Sequence, residues 1–392
     1  MSAPAESEAS KPALRGHVAQ WLREAAVSLA AVALALLVGA VLIVVSDADV
    51  LATWGYFFAY PPDALQASWS AVADAYGALL RGSLGGWRPL TETLVQATPL
   101  ICAGLGVSLA FRAGLFNIGA QGQLIVGALC AGWVGFTLHL PPVVHLVVAI
   151  AAAVVGGAVW GGIAGVLKAR TGAHEVIVTI MLNYVGLYLL QWLLTTEPFQ
   201  RPGRDDPISP VVDPTARFAR VPGTDLHLGV VLAVLAAIVV WWVLTRSTTG
   251  FQLRAVGANP EAARTAGMSV ERAYTVAMLG AGALAGLAGA QQVLGTAHPL
   301  TDGIAGDVGF DAITVALLGR ASPAGTVVAG LVFGALKAGG LQMQIQTQTP
   351  LTLTTVLQAT IVLFIAAPAL VRALVRVRGQ GAGSVLAKGW NA

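Results

Sequence analysis

The sequence predicts an all-α protein that crosses a membrane about ten times, and three observations carry that prediction. Of its 392 residues, 56% are hydrophobic and only 10% are charged, whereas soluble domains carry about 25% charged residues. The mean hydropathy is +0.75. Runs of about 18 or more apolar residues recur from near the N-terminus to near the C-terminus, and each is long enough to cross a hydrocarbon core of about 30 Å. Little length is left for a soluble domain. The net charge of +3 is small and the basic residues are scattered at helix ends, which suits loop orientation better than nucleic-acid binding. Cys102 and Cys130 both sit in apolar runs and read as small packing residues. Nothing resembles a disulfide framework or a metal site, and no cofactor is expected.

The elements follow in order. Residues 1–24 are polar and form a tail. The apolar run after them is longer than the core of a signal sequence, so the first span, 25–46, is read as uncleaved. Further segments fall at 90–111, 118–138, 143–167, 176–195, 228–245, 273–295, 308–319, 323–340 and 350–371. The membrane domain is therefore 25–371, followed by a basic tail over 372–392. Segment 308–319 is too short to cross at 1.5 Å per residue and reads as a half-helix or a tilted piece.

Orientation follows from the lysines and arginines. With the N-terminus inside, only Arg81, Arg88, Arg201, Arg204, Arg217, Arg220 and Lys337 of the 22 basic residues fall outside, so both termini are placed in the cytoplasm. Segments 47–89 and 196–227 become the longest outer loops, and the second, rich in proline and mixed charge, reads as an ordered cap or docking surface. Gly157, Gly161 and Gly165, Gly282 and Gly286, and Gly330 and Gly334 repeat at four-residue spacing. That interval lets helix backbones approach closely.

The stretch "FRAGLFNIGAQGQ", 111–123, interrupts this apolar pattern. Gly114, Gly119 and Gly122 break any regular helix, and irregular backbone at membrane depth is tolerated only in a protein interior or beside a wet cavity. Arg112 favours a cytoplasmic turn, whereas Asn117, Gln121 and Gln123 carry neutral amides that suit either a polar, uncharged solute or contacts between helices. Thr179 and Asn183 lie one turn apart, with Tyr184 and Tyr188 beside them. Amide and aromatic rings together would suit a nucleobase; interhelical bonding is the alternative. Asp302, Asp307 and Asp311 approach the short segment, where Phe310, Asp311 and Thr314 line it or cap it. The interruptions at 112–122 and 307–323 enter from opposite sides, as in an inverted repeat whose halves meet at the translocation path.

The blocks "GLFNIGAQGQLIVGAL", "EVIVTIMLNYVGLYL", "LRAVGANPEAARTAGMSVERA", "GALAGLAGA" and "GFDAITVALLGRASPAGTVVAGLVFGAL" occur in this order. They resemble the inner-membrane ABC permeases of bacterial simple-sugar and nucleoside importers, relatives of the ribose and branched-chain amino-acid permeases. The resemblance runs from Pro99 to the last span, and its "FNIG" block is more similar to the nucleoside branch than to the ribose branch. It implies a multi-pass protein of the bacterial plasma membrane, contacting lipid and taking up a nucleoside or sugar. Expected partners are an ATPase subunit, a second permease, identical or homologous, and an extracytoplasmic binding protein. It also implies a path lined by Phe116, Asn117, Gly119, Gln121 and Gly122. The loop "NPEAARTAGMS" is similar to the ATPase-docking loop of such permeases, which assigns coupling to Asn259, Glu261, Ala262, Ala263, Arg264 and Gly267. Pro260 and Glu261 suit a helix start. A phosphate-cradling loop ends in Gly-Lys-Ser/Thr, but none of Lys11, Lys168, Lys337 and Lys388 precedes Ser or Thr; ATP hydrolysis is expected in a partner. An ion-coupled carrier is the rival reading. It would need ionisable groups deep in the spans, where only neutral amides are expected.

Overall fold

The computed structural model describes residues 30–297, 299–367 and 371. Among them every regular element is helical, apart from two isolated antiparallel bridges, Ile208 with Thr301 and Arg220 with His227. The expected tails, 1–24 and 372–392, and residues 25–29 and 368–370 of the first and last expected spans lie outside the described residues.

Among the described residues, six helices are long and apolar enough to cross a membrane: α4 (Trp87–Arg112), α6 (Pro142–Thr171), α7 (Glu175–Leu193), α8 (Gly229–Arg246), α11 (Val270–Gln291, continued by a π-helical turn, Gln292–Ala297) and α13 (Pro323–Thr347). A seventh candidate is bent. Helices α1 (Ala30–Ser46) and α2 (Ala48–Trp54) meet at 85°, because the Asp47 side chain accepts from the N–H groups of Asp49 and Val50 and starts a new helix there. Three expected spans are shorter helices: α5 (Ala120–Thr137), α12 (Val308–Leu318) and α14 (Leu351–Ala366). The largest departure is at 47–89, expected as a loop, which contains the 24-residue helix α3 (Pro61–Leu84). Its Asp63, Gln66, Ser68, Ser70 and Asp74 dilute the hydropathy without interrupting the helix.

The chain divides into two compact units. Among the described residues, the first joins 30–76 with 347–367 and 371; within it the Tyr76 hydroxyl donates to Leu36 O at 2.6 Å. The second holds Gly77–Gln346, and α4 is its axis. In their apolar windows 83% of α4 is buried, against 22% of α6 and α7 and 28% of α8. Helices α5, α8, α11 and α12 surround α4, and α6 packs on α5 and α11.

The glycine spacings act as expected. A Cβ on Gly157 would stand 2.3 Å from Gly282 O, and one on Gly286 would stand 2.2 Å from Ala153 O. Helices α6 and α11 thus touch backbone to backbone, where dispersion acts without a hydrophobic drive. The segment 196–227 is an ordered cap. Ser209 exchanges two hydrogen bonds with Leu300, at 3.0 and 2.8 Å; Phe218 N donates to Leu294 O and Arg220 Nη2 to Gly295 O at 3.1 and 2.7 Å, in the π-helical turn. Asp213 N reaches Gly135 O at 2.8 Å.

Candidate functional site

The first interruption starts where α4 ends. Gly114 adopts φ 76°, a left-handed conformation that side chains disfavour, and residues 115–118 run without helix until α5 begins at Ala120. Arg112 is occupied. Its Nε donates to Ala321 O at 2.7 Å and its Nη2 approaches Arg320 O at 3.5 Å, so it holds the turn after α12, where Arg320 and Ala321 have φ 53° and 46°.

The amides of the stretch serve the break itself. Asn117 and Gln123 form a reciprocal pair at 3.2 and 3.3 Å, and Asn117 Oδ1 also accepts from Gly119 N at 2.9 Å. Both side chains are buried. Asn183 Oδ1 accepts from Gly122 N at 2.8 Å while its Nδ2 donates to Ile118 O at 2.9 Å. Non-helical backbone leaves donors and acceptors that must be met internally, and these side chains meet them. Thr179 is buried against Gly119 and donates to Val176 O. Tyr184 and Tyr188 are exposed on another face of α7. Phe116 packs at a 30° tilt on Phe111 with ring centroids 5.0 Å apart, and its N–H is directed at the Glu175 carboxylate, which pairs with Lys168 at 2.8 Å.

The second interruption meets the first at Gln121. Its Nε2 donates to Gly306 O at 2.6 Å and its Oε1 accepts from Gly309 N at 2.8 Å. A Cβ on Gly309 would lie 2.3 Å from Gln121 Cα, so only glycine permits this contact. From here the pieces diverge. Gly104 of α4 faces Ala312 and Val315, and Arg112 reaches 320 and 321, so α12 runs parallel to the second half of α4. Leu300 packs on Gly132 of α5, so 300–309 runs antiparallel to α5. Helices α5 and α12 therefore start at one place, and each is flanked by the non-helical segment that leads into the other. A signal for this was present in the sequence: Asn117-Ile118-Gly119 before α5 matches Asp307-Val308-Gly309 at the start of α12.

Beside this junction the sequence reading needs a correction. Lys337 was counted on the outer side, near the end of segment 323–340, and only neutral amides were expected deep in the spans. Lys337 lies instead inside α13, with its Nζ 2.6 Å from Asp311 Oδ2. Its neighbours are apolar, so one charge did not end the helix, and the partner is distant in sequence. Phe310 is 47% exposed, and the Thr314 hydroxyl donates to Asp311 O.

The loop assigned to coupling is a helical corner between α9 (Thr248–Ala258), α10 (Pro260–Thr265) and α11. Asn259 caps α10 by accepting from Ala262 N at 3.0 Å, and Pro260 occupies the first helical position. Gly267 closes it at φ 83°. Glu261, Ala262 and Arg264 are exposed, with Arg264 pairing to Glu261 and Glu271 at 3.1 and 3.4 Å. Ala263, expected to fit a partner's groove, is buried in its own chain, because Met268 N bonds Ala263 O and folds the loop back.

With this geometry in place, comparison with known proteins is informative. Residues 90–366 match the family model described as branched-chain amino acid transport system / permease component. The chain is 42% identical over 310 residues to the guanosine ABC transporter permease protein NupP of Bacillus subtilis, covering 77% of this chain and 88% of that protein. It is 39% identical over 303 residues to the glucose ABC transporter permease protein TsgB13 of Haloferax volcanii, covering 74% and 80%. To the nucleoside ABC transporter permease protein NupB of Lactococcus lactis it is 34% identical over 304 residues, covering 74% and 82%. A second permease protein from each of these organisms also matches, at 27%, 31% and 28% identity respectively. No solved structure matches.

Proposed function

The chain belongs to the branched-chain amino acid transport system permease family, the membrane-spanning subunits of ABC transporters, and from that premise we propose that it carries a nucleoside into the cytoplasm. The observation that carries this reading is the junction at Gln121 and Gly309, where two helices begin beside two irregular segments. Discontinuous helices that start opposite one another mark the solute site of inverted-repeat transporters. Nucleoside permeases among the relatives favour that cargo over a free sugar.

On this reading the bent pair α1–α2, α4 to α8, α11, the α12 segment, α13 and α14 make ten crossings, both tails are cytoplasmic, and the host membrane is the bacterial plasma membrane. The residues at the break act mainly as its scaffold: Asn117, Gly119, Gly122, Thr179 and Asn183 shape the path, while Phe116, Gln121, Phe310, Asp311 and Thr314 border it and Tyr184 faces away. Helix α10 meets the ATPase through Glu261, Ala262 and Arg264, with Asn259, Ala263 and Gly267 holding its shape. The second permease is homologous rather than identical, because the chain is closer to one of two permeases in each of three organisms. A binding protein delivers solute to the cap side. The ion-coupled alternative gains one supporting feature, the Lys337–Asp311 pair. Reconstitution with the partner subunits decides: guanosine uptake should require ATP and should not be driven by a proton or sodium gradient alone.

A further inference from the structure

We propose that Asp311 recognises adjacent hydroxyl groups of the solute, as in the 2′,3′-diol of a ribonucleoside, and that Lys337 is the positioning residue that holds its carboxylate at the path. This deepens the function proposed above and rests on it.

The first ground is the cost of the pair. Two charges removed from water lose hydration that their attraction often fails to repay, and ionisable groups inside membrane helices mark solute or ion pathways. Helix α13 does not need the pair to dock on α4. Thr326 already bonds Ser108 at 2.8 Å, and Gly330 and Gly334 press against Ile101 and Ala97.

The second ground is what the pair leaves open. Lys337 approaches Oδ2, so Asp311 Oδ1 lies outside the ion pair. The two side chains keep 18% and 25% exposure. In the segment leading into α12, Gly303, Gly306 and Asp307 are exposed in non-helical backbone, which cannot face lipid at membrane depth and so borders a polar space.

The third ground is the division of labour among polar groups. The amides of Asn117, Gln123 and Asn183 are bonded within the chain, which leaves them little capacity for a solute. An ionised carboxylate only accepts, and each of two neighbouring hydroxyls has an O–H to donate to it. Phe310, the preceding residue of α12, is exposed and offers a flat apolar surface to a base or sugar face. Loss of one hydrogen bond to a charged group corresponds to roughly a tenfold change or more.

The test is uptake of guanosine and of 2′-deoxyguanosine by the complete transporter in proteoliposomes, with its binding protein. Comparing the ratio of the two rates between wild type and variant cancels the binding protein's own preference. The double variant Asp311→Asn, Lys337→Gln replaces the ion pair by neutral amides of similar shape. It should assemble and reduce the advantage of guanosine over 2′-deoxyguanosine about tenfold. An unchanged ratio in a transporting variant would show that the pair only supports the fold. A second measurement does not depend on that variant: Phe310→Cys should be protected from a thiol reagent by guanosine and much less by 2′-deoxyguanosine, and equal protection would overturn the proposal. Wild-type complex that takes up neither nucleoside with ATP would overturn the proposed function, and the inference with it.

Discussion

Asn117 and Gln123 show how far one pair of side chains can decide a path. Each amide is the other's partner in a dry site, so replacing either by leucine strands the other, at about 1–3 kcal/mol. We expect Asn117→Leu and Gln123→Leu to lower the melting temperature of the purified protein to similar extents. The double variant should lose less than the sum, since no buried amide remains unpaired within the pair. Additive losses would mean the two side chains act separately. Gly309 sets a second limit at this scale. A methyl group there would meet the Gln121 backbone, so Gly309→Ala should slow uptake by displacing α12 even where the protein accumulates normally.

At the scale of an element, α10 separates surface from support. Ala262 is exposed and Ala263 is buried, although both are small and adjacent. Ala262→Asp is expected to leave thermal stability unchanged while weakening capture of the ATPase and abolishing ATP-dependent uptake. Ala263→Asp should instead destabilise the corner itself by several kcal/mol, through an unpaired buried charge, seen as loss of folded protein before any loss of coupling. Removing the cap with Asn259→Ala should cost about 1 kcal/mol, and hydrogen exchange confined to α10 would detect it. Uniform protection across α10 in that variant would mean that Asn259 does not hold the corner.

The whole molecule depends on the contact of α6 with α11, where Gly157, Gly282 and Gly286 bring backbone against backbone. Gly286→Leu should prevent this approach and deplete folded protein in the membrane, whereas Gly172→Leu, at the open end of α6 with nothing within 4 Å, should retain the bundle and lose only local strain energy, about 1–2 kcal/mol. Comparable yields would show that α6 and α11 can separate without unfolding. The cap also acts at this scale, since it ties α5, the π-helical turn and Leu300 together.

What the sequence by itself determined was whatever composition and local spacing encode. Apolar runs specify α4, α6, α7, α8, α11 and α13, because crossing a bilayer sets a length that a linear count can read. Glycine intervals specify the close crossings, and "NPEAART" specifies a capped short helix through the chemistry of Asn259 and Pro260. Helix α3 escaped that reading because its polar side chains mask its length. Only the tertiary structure decided which polar groups meet: Asn117 with Gln123, Gln121 with Gly309, Arg112 with Ala321 and Lys337 with Asp311. Whether an amide or a charge is held by the protein or left for a solute depends on partners that, for the last three, lie about 200 residues or fewer away along the chain but within hydrogen-bond reach in space. Proximity of that kind arises from helix packing, which local spacing does not contain.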